Sequence, residues 1–117
     1  VTFVHVTMPL NAPSPGVIPL LKRMAKKVLG KPLWGREDNI KRYTYNTMLR
    51  EKYAASEPVF DLAMLEATRP DGSMCTFNMG GKTFYRLCSE YTYDGGHLNE
   101  KGRILIAQKL ILFLAEL

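Results

Sequence analysis

Asp94 and His97 stand three residues apart in the run Tyr91-Thr92-Tyr93-Asp94-Gly95-Gly96-His97-Leu98-Asn99-Glu100-Lys101-Gly102. A carboxylate that accepts from one ring nitrogen of an imidazole fixes its tautomer and steadies the imidazolium, leaving the other nitrogen to act as a base. The spacing suits that task, because a tight turn lets both side chains point to one side. Gly95 and Gly96 permit dihedrals that other residues resist. Such a pair is two thirds of a hydrolytic triad, and the chain offers no residue with the setting of the third, the nucleophile.

Other residues capable of chemistry read as structural. His5 lies inside an apolar run and is a packed, hydrogen-bonded residue rather than a ligand. Asp61 follows a short strand and caps the turn that begins at Ala63. Trp34, between Leu33 and Gly35, anchors a loop or covers a pocket. His5, Asp94 and His97 lack the number and spacing of a metal site. The tyrosines at 43, 45, 53, 91 and 93 are scattered and form no stacking platform for single-stranded nucleic acid.

The elements that must position the pair belong to a chain of 117 residues, which is one small domain or part of a larger one. The formal net charge of +5 raises the question of anionic partners. Lys22, Arg23, Lys26, Lys27, Lys31, Arg36, Lys41, Arg42, Arg50 and Lys52 are dispersed, however, with acids between several of them, so they read as solvated helix faces and not as a nucleic-acid groove. No apolar run reaches the ~20 residues that span a bilayer. No signal-peptide pattern is present. The chain does not begin with Met, so a secreted or periplasmic home stays open. Cys75 and Cys88 match no metal-binding spacing and are either free thiols or one disulfide.

Val1 to Thr7 is a β-branched and aromatic run that predicts a strand buried on both faces, as in parallel sheets. Ser14 and Pro15 suit the start of a helix over 17–29, with Ile18, Leu21, Met24, Ala25, Val28 and Leu29 at helical spacing and Gly30 as its stop. Asp38 or Asn39 is placed to cap a second helix ending at Tyr53, with Ile40, Tyr43, Thr47, Met48 and Tyr53 near one stripe. Pro58 to Leu62 predicts a short buried strand, followed by a helical turn over Ala63 to Ala67. Arg69-Pro70-Asp71-Gly72 is a turn, and 73–77 with 82–87 form a hairpin around Asn78-Met79-Gly80-Gly81. Asn99 caps a last helix whose residues Ile104, Leu105, Ala107 and Leu110 to Leu114 are apolar on more than one face, which predicts deep packing. The alternation of strands and helices is that of an α/β layered domain.

Asp94-Gly95-Gly96-His97-Leu98-Asn99, with Gly102 and an amphipathic helix after it, resembles the closing block of the SGNH hydrolases, the GDSL-type esterases and lipases. Val1 to Thr7 is similar to that family's fourth strand. Tyr45-Asn46-Thr47-Met48-Leu49-Arg50 resembles a helix in which Asn-x-x-Leu is common, and Val59-Phe60-Asp61-Leu62 its final strand. The resemblance implies a three-layer α/β/α fold with a flavodoxin-like parallel sheet, of which residues 1–117 are the C-terminal part, with a small β-hairpin excursion. It implies His97 as general base, Asp94 as its orienting carboxylate, an ester substrate, and no metal or organic cofactor.

The family's Gly-Asp-Ser nucleophile and its oxyanion donors, which lie on earlier blocks, have no counterpart here. Ser14 reads as a cap, Ser56 and Ser73 as loop or turn residues, and Ser89 lies too near the pair along the chain. The expectation is therefore a chain inactive by itself, completed by a nucleophile-bearing N-terminal part that is a second polypeptide or an unseen segment. The alternative is a non-catalytic fragment or interaction module that keeps the block only as structure, with a basic adaptor for anions a more distant reading.

Overall fold

The computed structural model describes residues 1–13, 21, 24, 25, 27–30 and 35–117. Ser14, Pro15, Trp34 and most of the helix expected over 17–29 lie outside the described residues. The rest is a mixed α/β chain with two small sheets, one parallel and one antiparallel.

The N-terminal run forms a strand only at His5–Val6 (β1). It pairs in parallel with Val59–Phe60 (β2), His5 opposite Val59 and Val6 opposite Phe60. A strand buried on both faces needs cover that the described residues do not supply, so Phe3 is 72 % exposed and Val6 half exposed. Thr7, the first residue beyond β1, is buried.

Helix α1 covers Arg36–Tyr53 and starts earlier than its sequence suggests, with Gly35 and not Asp38 or Asn39 at its cap. Gly35 has a φ of 55°, a conformation that requires glycine, and a Cβ there would also press on the Asn11 side-chain nitrogen at 2.8 Å. The buried stripe of α1 is Asn39, Asn46 and Leu49, while Met48 is exposed. The inward face is thus largely polar.

Asp61 caps α2 (Leu62–Glu66), accepting the Met64 N–H at 3.3 Å. The same carboxylate takes two bonds from the Arg50 guanidinium (2.7 and 2.8 Å) and one from the Thr7 hydroxyl, so it is spoken for and makes no approach to His97. Burial alone would raise the Asp61 carboxyl, but the paired Arg50 outweighs it and holds the group below its ordinary range.

The hairpin is present as expected: β3 (Thr76–Met79) lies antiparallel to β4 (Lys82–Tyr85) around Gly80-Gly81. Phe77 stacks on Phe84 across it, and Tyr43 of α1 meets Phe84 edge-on at 5.2 Å. A Cys75–Cys88 disulfide closes the base of the hairpin, which settles the state of the two cysteines.

The last helix, α3, spans Glu100–Ala115, and Asn99 caps it by accepting the Gly102 N–H at 3.0 Å. Deep packing of this helix is not found. Phe113 meets Phe60 and the first turn leans on Tyr91, yet Ile104, Ile111, Leu112 and Leu114 are exposed, Ile111 by 67 %. The described elements that pack most on α3 are one short helix and one turn, with Phe60 of β2 beside them, too small to cover a helix that is apolar on more than one face. The core, which α3 meets through Leu105, is formed by Leu10, Ala12, Ala63, Ala67, Leu87 and Tyr91 with the disulfide, and Leu98 joins it to the Asp94–His97 turn.

Candidate active site

The turn is built between two fixed points. Before it, Tyr91 closes a 3-10 turn (Ser89–Tyr91), is buried, and donates from its hydroxyl to the Thr68 C=O at 2.9 Å. After it, Asn99 begins α3, and its backbone N–H donates to the Tyr91 C=O at 2.7 Å. Thr92 and Leu98 form an antiparallel bridge, so the intervening residues must reverse direction. Gly95 absorbs the reversal with a φ of 86°, while Gly96 does not take a positive φ; one glycine of the pair is required on conformational grounds.

Asp94 is the hub of the turn. Its Oδ1 accepts the backbone N–H groups of Gly96 and His97, each at 2.8 Å, and the Thr92 hydroxyl at 3.3 Å. Its Oδ2 lies 2.6 Å from His97 Nδ1. Sequence and structure therefore agree on the juxtaposition of these two side chains. The Gly96 N–H, the His97 N–H and the His97 ring all stabilise the charged carboxylate, which holds Asp94 well below the ordinary carboxylate range. An anionic Asp94 makes Nδ1 the protonated nitrogen of a neutral ring and leaves Nε2 with the lone pair. The His97 side chain is 90 % exposed, so that nitrogen faces outward.

None of the described serines approaches it. Ser56 donates to the Tyr53 C=O, Ser73 to Asp71, and Ser89 accepts from Arg86. His5 is half-buried, bonded to Glu57 at 2.6 Å and stacked on Tyr53 with ring centroids 3.9 Å apart, which is the packed and hydrogen-bonded state expected of it. Two clefts, of about 300 and about 250 Å³, are lined by His5, Tyr45, Met48, Leu49, Lys52 and Tyr53, and by Phe60, Asp61, Met64, Leu65, Lys109 and Phe113. Neither lining includes Asp94 or His97, whose side chains are 57 % and 90 % exposed among the described residues. Among the described residues, the one cluster with metal-like spacing is Cys75, Cys88 and Glu90, and its sulfurs are already joined to each other. No helix of the described residues is long and apolar enough to cross a membrane.

Residues that the sequence does not mark connect to the turn through the segment after β1, whose Ala12 N–H donates to the Gly95 C=O. After β1 the chain runs through Thr7 to Ala12 as an extended strap over α1. Asn46 holds both the N–H and C=O of Met8 (2.7 and 3.0 Å), and Asn39 does the same for Asn11 (2.8 and 2.9 Å). Between them the buried Glu66 accepts the Leu10 N–H at 2.7 Å. The spacing has a simple origin: seven helical residues rise about 10.5 Å, and three extended residues span about 10 Å. The signal available in the sequence was the Asn39-x6-Asn46 spacing on one helix stripe, two polar residues where the pattern calls for apolar ones.

No protein-family model, no curated protein and no solved structure matches this chain.

Proposed function

We propose that Asp94 and His97 are the acid–base half of a serine ester hydrolase of the SGNH type, whose nucleophile and oxyanion donors are carried by polypeptide outside residues 1–117. The observation that carries this reading is the 2.6 Å contact between Asp94 and His97 Nδ1, with the carboxylate kept anionic by backbone donors and the far side of the ring exposed. In the proposed reaction a serine hydroxyl gives its proton to His97 Nε2 as its oxygen attacks an ester carbonyl. The tetrahedral oxyanion collapses as His97 returns the proton to the departing alcohol oxygen, and water then frees the acyl group by the same route. The substrate class is a small ester, such as an acetyl or short acyl group on a carbohydrate or lipid. A base this open to water gains its full effect only when another surface closes over it.

The fold that goes with this reading is a three-layer α/β/α domain in which the β1–β2 pair belongs to a larger flavodoxin-like parallel sheet. The exposed apolar residues of β1 and α3 support a covering polypeptide, and the disulfide suits an oxidising compartment.

The test is labelling of the native particle with a fluorophosphonate probe, read by intact mass. Expected is one probe mass on a polypeptide that accompanies this chain, at a rate that His97→Gln lowers by about 10²–10⁴-fold. A particle that takes up no probe would assign the Asp94–His97 block to structure alone and make the chain a non-catalytic module.

A further inference from the structure

The strap reaches the candidate site through one bond. The Ala12 N–H donates to the Gly95 C=O at 2.8 Å. That carbonyl and the Gly96 N–H belong to the same planar peptide unit, so they point in opposite directions and turn together. One end of the unit is held by the strap, and the other donates to Asp94 Oδ1 at 2.8 Å. We propose that Asn39 and Asn46 are positioning residues for the Asp94–His97 pair: they clamp the strap to α1, and the strap in turn sets the Gly95–Gly96 peptide that orients the Asp94 carboxylate.

Three features make the strap a rigid support. Both asparagines are fully buried, and each meets a donor and an acceptor of one strap residue, the pattern of a strand-to-strand bond pair supplied by a side chain. Loss of the Asn46 amide would strip both bonds from the part-buried Met8 backbone, and loss of the Asn39 amide would leave the Asn11 N–H unmet, at up to about 1–3 kcal/mol for each group in general. The strap is also tied on its far side, where the Leu87 N–H donates to the Asn11 C=O at 3.1 Å, and on its outer side, where Arg42 Nη1 donates to the Pro9 C=O at 2.8 Å. The pull on Asp94 thus originates on α1, at Asn39 and Asn46, which are 55 and 48 residues away in sequence.

The purpose of this role rests on the hydrolase reading, but its test does not. Asp94 is titrated by carbon-detected NMR in the whole chain, alongside amide exchange of Ala12, for the unaltered protein, Asn39→Leu and Arg42→Met. In both variants the Ala12 amide is expected to exchange about tenfold faster, and the Asp94 midpoint to rise by about one pH unit as the Gly96 N–H turns away. A purely structural role for Asn39 would lower overall stability and leave that midpoint where it was. If Asn39→Leu fails to fold, Arg42→Met carries the test, since it trims a clamp at the surface. A strap that opens without moving Asp94, or one that stays closed in every folded variant, overturns the proposal. Failure to label with a serine probe would remove the hydrolase reading and leave the coupling measured here standing.

Discussion

Glu66 and Asp94 are both carboxylates that accept backbone N–H groups, and the two regions around them push them in opposite directions. Glu66 is buried under the strap and, among the described residues, accepts one N–H, that of Leu10. Loss of water around it dominates, Leu10 and the nearby Arg42 offset only part, and the group is pushed up to about 7. Asp94 stands at the surface with two backbone donors, a hydroxyl and an imidazole, and is held low. The difference teaches that proximity to the candidate site does not decide which acid stays charged. Access to water and the number of donors do, and on both counts the exposed turn is the better home for a permanent anion.

The largest expected effect breaks that comparison on the buried side. A carboxyl whose folded value lies above its unfolded one supports the fold fully below about pH 4.5 and loses that support as pH rises through about 7. The difference corresponds to about 3 kcal/mol. Glu66→Gln keeps an oxygen for the Leu10 N–H but carries no charge, so it is expected to match the unaltered chain at pH 4 and exceed its stability by up to about 3 kcal/mol at pH 8. Urea unfolding of both proteins across that range decides the point. Parallel curves would show that Glu66 does not titrate inside the fold.

A second change probes the joint between the interior and the turn. Gly102 is the buried residue of α3, and a Cβ placed there would lie 2.9 Å from both the Cβ and the backbone oxygen of Tyr91. The Tyr91 oxygen also accepts the Asn99 N–H, so it has little room to yield. Gly102→Ala is expected to destabilise the chain by about 2 kcal/mol despite alanine's better helix propensity, as overpacking does. A stability gain on thermal unfolding would mean that α3 can shift away from Tyr91 at little cost.

Much of this architecture was legible in the sequence, and the failures share one cause. The hairpin, the caps at Asp61 and Asn99, and the Asp94–His97 juxtaposition depend on residues within a few positions of one another, where turn and capping chemistry operates. The strap was not legible, because Asn39, Asn46 and Glu66 act on backbone atoms 28 to 56 residues away and nothing local marks them. Asn39 even reads as a helix cap until Gly35 takes that place. The apolar content of the first run and of α3 raises an expectation of burial that the described residues do not meet. Burial depends on neighbours, and the described residues supply too few.

The smallest expected effect on stability sharpens the comparison from the exposed side. His97→Gln removes a ring that is almost wholly solvated, and the two backbone N–H groups that hold Asp94 Oδ1 remain. The stability of the chain should change by less than about 0.5 kcal/mol, the range of ordinary surface substitutions. The sign with pH is also fixed. Asp94 is held below the ordinary carboxylate range, so its support for the fold is present above that range and is lost only as pH falls through its lowered value. At pH 8, therefore, the unfolding curves of His97→Gln and the unaltered chain should superimpose within that margin, measured by circular dichroism in urea. A marked loss of stability would make His97 a structural residue of the turn. Superimposed curves, together with a probe-labelling rate that collapses in the same variant, would separate what His97 does from what holds it in place.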